Sequence, residues 1–191
     1  MALNLPLSVR EAIVRATEPL RAAAPALAWV DAPRLHLTVK FLGEQPASMV
    51  SGLTDVLADV AARHRPFTLD LKGVGAFPNF RRARVVWLGV DADPRLELLQ
   101  HDVESYCERI GHAVEGRPFR PHLTLARVRR PLPESTLRSL ARAARSVSYH
   151  TEVDVSSIDL MRSRLEPQGA RYELVRALTL GASTTSLERE S

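Results

Sequence analysis

A tripeptide of histidine, leucine and threonine occurs twice in this chain, at residues 36–38 and again at residues 122–124. Each copy lies in a run of alternating apolar and polar residues, which is the pattern of a half-buried β-strand. Successive side chains of a strand point to opposite faces, so the histidine and threonine of each copy share one face and the leucine points to the other. The repeat therefore predicts two strands that each present an imidazole and a hydroxyl to one groove.

An imidazole and a hydroxyl on each of two strands make a symmetric acid–base site that needs no metal. Histidine has an unperturbed pKa of about 6.5, so near neutral pH one imidazole can accept a proton while the other supplies one. The hydroxyls can donate hydrogen bonds to phosphate oxygens. This chemistry suits the cleavage of a phosphoester, and its candidate catalytic residues are His36, Thr38, His122 and Thr124. Two unrelated structural histidines would give the same spacing, and spacing alone leaves that interpretation open.

The composition excludes several classes of protein. A chain of 191 residues with 45% hydrophobic and 25% charged residues is an ordinary globular protein of one domain or two joined lobes. No run approaches the roughly 18 apolar residues of a membrane span, and no secretory signal is visible. Cys107 is the single cysteine and has no disulfide partner in the chain. We therefore expect a cytoplasmic protein with no membrane association.

The basic residues are almost all arginine. The net charge is +4, and Lys40 and Lys72 are the two lysines among 26 basic residues. Arginine matches phosphate through a rigid fork of donors, which would suit an anionic partner. A codon bias toward arginine and alanine explains the same excess, so charge alone does not identify RNA.

The apolar periodicities predict an α+β fold. Strands are predicted at residues 2–5, 28–30, 35–42, 67–71, 85–90, 119–128, 149–161 and 171–180. Helices are predicted from a Ser8–Glu11 capping box towards Pro19 or Pro25, at 46–64, at 94–110 and from 133 to about 144, and glycines predict a loop at 73–79. We expect one bilobal unit over residues 1–182 and a polar tail at residues 183–191.

Six segments occur in an order that is found in one family. They are WV at 29–30, LHLTVKFLG at 35–43, GAFP at 75–78, VVWLG at 85–89, RPFRPHLTLAR at 117–127 and GARY at 169–172. Through them the chain resembles the 2H phosphoesterase superfamily and, within it, the LigT/ThpR family of RNA 2′,3′-cyclic phosphodiesterases, also called the 2′-5′ RNA ligase family. The resemblance implies a bilobal fold whose two pseudo-symmetric, antiparallel-rich sheets form a central groove, with helices outside and both histidine motifs at its base.

The same resemblance implies an activity. It is the hydrolysis of an RNA 2′,3′-cyclic phosphate end to a 2′-phosphomonoester, with no metal and no cofactor. His36 would be the proton donor to the leaving O3′, and His122 the acceptor that activates water. The residues alone leave these two roles open because the motifs are nearly symmetric. The expected partner is an RNA with a cyclic phosphate end or a cyclic nucleotide, and a monomer is the default.

Three further residues are candidates for substrate binding. Arg127 could contact phosphate, although its position does not match the face of Thr124 in a regular strand, so a bend or a long reach is required. Phe41 and Tyr172 could stack on a base or pack in the core. Arginines 81, 82 and 84 could guide an RNA backbone or belong to a solvated loop.

Two other functions are compatible with the motifs. The same histidines could run the related chemistry towards joining, as a 2′-5′ RNA ligase that acts on tRNA halves. A nucleotide- or RNA-binding module that has lost turnover is the alternative from another class, although a pure binder has no need of both imidazoles.

Overall fold

Alternating apolar residues form an antiparallel sheet in the part of the chain that the computed structural model describes, residues 1–166 and 169–181. Its nine strands in these residues are β1 (Ala2–Asn4), β2 (Ala28–Trp29), β3 (His36–Thr38), β4 (Phe67–Phe77), β5 (Val85–Val90), β6 (His122–Arg127), β7 (His150–Val155), β8 (Ser157–Glu166) and β9 (Gly169–Thr179). Their order across the sheet is β7-β4-β5-β6-β3-β1-β8-β9, and β2 pairs with β6.

The two histidine strands meet at the centre of this sheet. β6 completes the half β7-β4-β5-β6 and β3 begins the half β3-β1-β8-β9, so each occupies the inner position of four strands. The two halves join through the antiparallel pair of Leu37 and Leu123. The α+β prediction is confirmed, and the two expected sheets are the two halves of one continuous sheet.

The sheet is curled, which follows from the connection between β7 and β8. These strands lie near opposite ends of the strand order, but Ser156 is the only residue between them. Two residues so close in the chain lie within roughly 7 Å of each other, so the two ends of the sheet must approach. The single strand predicted at residues 149–161 is therefore wrong. Its apolar residues change phase after Val155, and the chain passes from one half to the other.

Five helices among the described residues bury apolar faces against the sheet: α1 (Leu7–Ala16), α2 (Glu18–Ala23), α3 (Met49–Arg63), α4 (Pro94–Arg109) and α5 (Glu134–Ser146). One continuous core contains residues from these helices together with Leu37 and Leu123, both 0% exposed. The leucines of the two motifs therefore enter this core, as predicted. No helix in the described ranges combines the length and apolar character that a membrane span requires.

The first helix departs from its prediction at both ends. α1 is preceded by Pro6 as the N-cap residue and has no side-chain capping bond, so the predicted Ser8–Glu11 capping box is wrong. Ser8 already lies inside the first turn of the helix. The helix ends before Thr17, and Pro19 falls in the first turn of α2, where proline is well tolerated.

The predicted loop at residues 73–79 is wrong over most of its length. β4 continues through both glycines to Phe77. Gly73 has φ +73° at a register shift between Leu71 and Val74, so it marks a bulge and not a turn. A Cβ atom at Gly75 would lie 2.1 Å from Cζ2 of Trp87, so this glycine allows the indole to cross the strand. The predicted tail at residues 183–191 lies outside the described residues.

Candidate active site

The register between β3 and β6 brings the two motifs together. Leu37 is paired with Leu123, and one residue further along these antiparallel strands His36 faces Thr124 while Thr38 faces His122. Both leucines are fully buried, so the two histidines and two threonines share the opposite face of the sheet. Each imidazole therefore lies across from the hydroxyl of the other motif, and the arrangement has approximate twofold symmetry.

Each histidine ring is held by the backbone two residues before it. Nδ1 of His36 lies 2.9 Å from the carbonyl oxygen of Arg34, and Nδ1 of His122 lies 2.7 Å from that of Arg120. A carbonyl oxygen only accepts hydrogen bonds, so Nδ1 carries the hydrogen in both rings. Nε2 is left for a substrate, as a base when the ring is neutral and as an acid when it is protonated. The two rings are thus oriented in the same way.

An aromatic ring packs against each imidazole. Tyr172 on β9 meets His36 edge to face, with 4.6 Å between ring centroids. Phe77 at the end of β4 meets His122 in the same manner at 5.0 Å. These contacts, together with the carbonyl bonds, restrict the orientation of both imidazoles.

The surroundings disfavour the protonated form of both histidines. Burial is the main cause that lowers the pKa of His36 below 6.5, and the positive charges of the N-terminal amine, Arg10 and Arg127 lower it further. Burial also lowers the pKa of His122, again with a contribution from Arg127. The backbone hydrogen bonds of the two rings raise these pKa values, but by less than burial lowers them. At neutral pH the free protein therefore holds two largely neutral imidazoles in a positively charged setting.

A pocket opens in front of the first motif. It is lined by Val30, Arg34, His36, Thr38, Thr124, Arg127 and Tyr172. His122 lies beside this pocket on the face of β6 that carries Thr124, two residues away. Basic and hydroxyl side chains therefore surround a space that is suited to an anion.

A bulge in β6 turns Arg127 towards this pocket. Val86 and Trp87 are neighbours on β5, but their partners on β6 are Ala126 and Thr124. Leu125 is therefore the extra residue of the bulge. Leu125 and Ala126 are consequently both buried, and the alternation changes phase. This bulge is the bend that the sequence prediction for Arg127 required, and bulges often redirect side chains next to active sites.

The two aromatic candidates differ in position. Tyr172 lines the pocket and contacts His36. Phe41 is 81% exposed and does not line the pocket, so the core-packing interpretation is wrong for this residue.

Sequence reasoning missed Arg34, which lines the pocket, and Phe77, which packs on His122. A signal for Arg34 was present, because an arginine stands two residues before the histidine of each motif, as Arg34 and as Arg120. The carbonyl groups of both arginines orient the imidazoles. Phe77 had no comparable signal, since its contact depends on the continuation of β4 past the glycines.

A buried ion pair links the two motifs behind the site. Lys40, two residues after Thr38, pairs with Glu104 on α4 and donates a 2.9 Å hydrogen bond to the carbonyl oxygen of Ala113. Glu104 also accepts the backbone N–H of Glu115 at 3.2 Å. Residues 113–115 begin the segment that leads into β6, so the pair connects the end of the first histidine strand to the approach of the second.

Comparisons with known proteins agree with this geometry. The family model of the 2′-5′ RNA ligase superfamily matches residues 6–166. A protein of Geobacillus stearothermophilus named RNA 2′,3′-cyclic phosphodiesterase is 33% identical over 183 residues, which are 94% of this chain and 56% of that protein. The chain thus spans just over half the length of this relative. A protein of the same name from Methanothermobacter thermautotrophicus is 31% identical over 172 residues, with 90% of this chain and 92% of that protein covered.

Solved structures show the same likeness. A crystal structure of a Thermus thermophilus protein superposes with a TM-score of 0.78 at 30% identity and covers 94% of this chain and 96% of its own. Escherichia coli LigT, crystallised with 3′-AMP, superposes with a TM-score of 0.73 at 29% identity over 95% of this chain and 96% of its own.

Proposed function

The chain belongs to the 2′-5′ RNA ligase superfamily, and from this premise we propose that it hydrolyses the 2′,3′-cyclic phosphate end of RNA to a 2′-phosphomonoester. One observation carries the proposal: two paired strands each present an imidazole with Nδ1 bound to a carbonyl oxygen and Nε2 left for substrate. The names of the relatives, RNA 2′,3′-cyclic phosphodiesterase, support the substrate.

In the proposed reaction the two histidines move one proton each. Nε2 of neutral His122 removes a proton from a water molecule whose oxygen attacks the phosphorus atom. The P–O3′ bond breaks, and Nε2–H of protonated His36 delivers its proton to the departing O3′. The product carries a 2′-phosphate and a 3′-hydroxyl, and proton exchange with solvent restores both rings. The assignment of donor and acceptor follows the family resemblance.

The remaining polar groups of the pocket stabilise the phosphate. We assign hydrogen bonds from the hydroxyls of Thr38 and Thr124 to the non-bridging oxygens, where negative charge grows in the pentacoordinate transition state. Arg127 lines the same pocket and supplies a fork of donors and a positive charge.

The substrate itself supplies the charge that the acid requires. His36 is partly buried near the N-terminal amine, Arg10 and Arg127, and these surroundings lower its pKa in the free protein. A bound phosphodiester brings a negative charge into contact with the ring, which favours the imidazolium. Binding of the anionic end therefore prepares the acid, and the site is active when the substrate occupies it.

The base of the terminal nucleotide has two candidate platforms. Tyr172 lies in the pocket wall beside His36, and Phe41 exposes 81% of its surface shortly after Thr38. Stacking on either ring would tolerate every base, because all bases offer a flat face.

The test is a hydrolysis assay on a short RNA with a 2′,3′-cyclic phosphate end, after treatment with a chelator. Wild type, His36→Ala and His122→Ala are compared, and the product is identified as a 2′- or 3′-phosphate. We expect the wild type to form the 2′-phosphate and each variant to lose at least about 100-fold in rate. Activity that disappears on chelation, or that survives both substitutions, would refute the two-histidine mechanism.

Ligation is the second candidate because the family model is described as that of RNA ligases. Ligation would use the same histidines, with the 5′-hydroxyl of a second RNA attacking the phosphorus atom in place of water while the P–O3′ bond breaks and O3′ takes a proton. A 5′-hydroxyl RNA added to the assay decides this point. A joined product that depends on His36 and His122 would establish ligation.

We also propose that the enzyme acts as a monomer in the cytoplasm. One chain provides both histidines and both threonines, and its single cysteine, Cys107, is buried. Light scattering of the purified protein and fractionation of cells test the two statements.

A further inference from the structure

Two segments contain no acidic residue: one covers most of β4 and all of β5, and the other contains the second histidine strand. Residues 71–90 and 116–133 hold nine of the 26 basic residues and none of the 22 acidic ones. The chain as a whole has a net charge of only +4, so the remaining residues carry a formal charge of −5. The positive charge of the protein is therefore concentrated in the half of the sheet that carries His122.

Five of these arginines gather where β5 begins and β6 ends, and we refer to them as the rim arginines. All five are exposed, and they are Arg81, Arg82, Arg84, Arg129 and Arg130. None of them forms an ion pair with a carboxylate among the described residues, whereas Arg34, Arg95, Arg117, Arg138 and Arg164 do. The positive charge of the rim is therefore not neutralised by a carboxylate in the part of the chain that the structure describes.

The rim adjoins the pocket through Arg127. Arg127, which lines the pocket, is paired with Val85, and the N–H of Val128 donates a 2.9 Å hydrogen bond to the carbonyl oxygen of Arg84. Paired residues of neighbouring strands lie roughly 5 Å apart. The backbone at Arg84 is thus one residue away from the residue that pairs with Arg127, and Arg129 lies two residues after Arg127, just beyond the end of β6.

The rim is also preorganised. Oδ1 of Asn79 accepts the backbone N–H groups of Arg81 at 3.0 Å and of Arg82 at 3.2 Å. The N–H of Arg84 bonds the carbonyl oxygen of Phe77 at 2.8 Å, and Phe77 packs on His122. A short 3₁₀ turn, Phe80–Arg82, therefore displays Arg81 and Arg82 from a fixed backbone.

The other end of β4 and β5 carries charges that are mostly paired. Asp70, Asp91, Asp93 and Glu152 line a cleft there together with Arg95, and Lys72, Arg95 and His150 pair with Asp91, Asp93 and Asp70. A polyanion that follows this half of the sheet is therefore attracted at the rim, where the arginines have no ion-pair partner among the described residues.

We propose that the rim arginines bind the phosphodiester backbone of the RNA strand on the 5′ side of the cyclic phosphate. The proposal rests on the proposed function, since the cyclic end must occupy the pocket for the strand to cross the rim. It makes an RNA chain the preferred substrate over a cyclic mononucleotide, which cannot reach the rim.

The test compares two substrates with two charge-matched variants. The rim variant is R81Q/R82Q/R84Q and the control is R63Q/R65Q/R109Q, which removes three exposed arginines around α3 and α4. The substrates are an RNA of about ten nucleotides with a 2′,3′-cyclic phosphate end and the free 2′,3′-cyclic mononucleotide. Thermal unfolding confirms that both variants are folded, and R82Q alone is measured as a milder change.

We expect the rim variant to raise KM for the RNA about tenfold or more and to leave kcat for RNA and both constants for the mononucleotide unchanged. The slope of log KM against log salt should fall by about 2, because each lost phosphate contact of a single strand removes roughly 0.7. The control should change KM for RNA much less. An equal effect of the control, an equal rise for the mononucleotide, or no effect of the rim variant would overturn the proposal.

A separate measurement keeps this inference apart from the proposed function. If the wild type hydrolyses neither substrate, the proposed function fails. Binding of a labelled RNA that ends in a 2′-phosphate then decides the role of the rim. Weaker binding by the rim variant than by the control supports the inference, and equal binding overturns it.

Discussion

At the scale of single residues, the pKa values of His36 and His122 determine how activity varies with pH. The proposed reaction needs one ring neutral and the other protonated, so it predicts that kcat/KM is highest between their pKa values in the free protein. Burial lowers both values below 6.5. We therefore expect a bell-shaped profile of kcat/KM with its maximum below about pH 6.5. The maximum of kcat should lie at higher pH because the bound phosphate raises both pKa values. A kcat/KM maximum above neutral pH would contradict this account.

Two arginines distinguish the histidines in that profile. The charge of Arg127 lowers the pKa of both rings, whereas Arg10 acts on His36. We expect Arg127→Gln to move both limbs of the kcat/KM profile to higher pH, and Arg10→Gln to move one limb. The limb that moves with Arg10 is the one in which His36 titrates. Arg10→Lys, which keeps the charge, is the matched control and should leave the profile in place.

The glycine in the middle of β4 gives a test of packing. A Cβ atom at Gly75 would lie 2.1 Å from the indole of Trp87, and the indole also packs against Phe77, which supports His122. We expect Gly75→Ala to lower the free energy of unfolding by about 1–3 kcal/mol, the usual cost of overpacking. Urea denaturation measures the loss. Gly52→Ala on α3, where a Cβ atom meets nothing within 4 Å, is the control and should be neutral or stabilising.

At the scale of secondary-structure elements, the buried pair of Lys40 and Glu104 connects the segment after β3 to α4 and to the segment that leads into β6. Both side chains are less than a tenth exposed, so removal of one charge leaves the other unpaired in the core. We expect Lys40→Met to lower the free energy of unfolding by about 3–5 kcal/mol. The double variant K40M/E104L should recover much of that loss because no buried charge remains. If the single and double variants are equally unstable, the loss comes from packing and not from the unpaired carboxylate.

The elements also show what the sequence could and could not predict. The His-x-Thr strands were predictable because strand alternation alone assigns their leucines to the core and their polar residues to the other face. The continuation of β4 through Gly73 and Gly75 was not predictable, because glycine is equally common in turns and in bulges. The packing of Trp87 against Gly75 distinguishes the two, and Trp87 lies on another strand. The break at Ser156 was visible in the sequence, because the alternation of apolar residues changes phase after Val155. The pocket position of Arg127 depended on a bulge that the register of β5 determines.

At the scale of the whole molecule, the candidate site lies where the two halves of the sheet meet. Its two histidines make the free energy of unfolding depend on pH. His36 and His122 have pKa values below 6.5 in the folded protein and about 6.5 in the unfolded chain. The unfolded chain therefore binds more protons as the pH falls through 6.5, and the free energy of unfolding decreases. This decrease ends below the folded pKa values, where both states are protonated.

We expect the free energy of unfolding of the wild type to fall between about pH 6.5 and the folded pKa values of the two histidines. The double variant H36Q/H122Q should not show this fall. Carboxylates titrate in both proteins, so the difference between wild type and double variant isolates the two histidines. Urea denaturation of both proteins across a series of pH values measures it, and the variant should gain on the wild type as the pH falls below about 6.5. A bound nucleotide 2′-phosphate should flatten the wild-type curve, because its charge stabilises the imidazolium in the folded state. Parallel curves for the two proteins would mean that the junction between the halves does not hold the histidines in their neutral form, and the account of how substrate prepares the acid would fail with it.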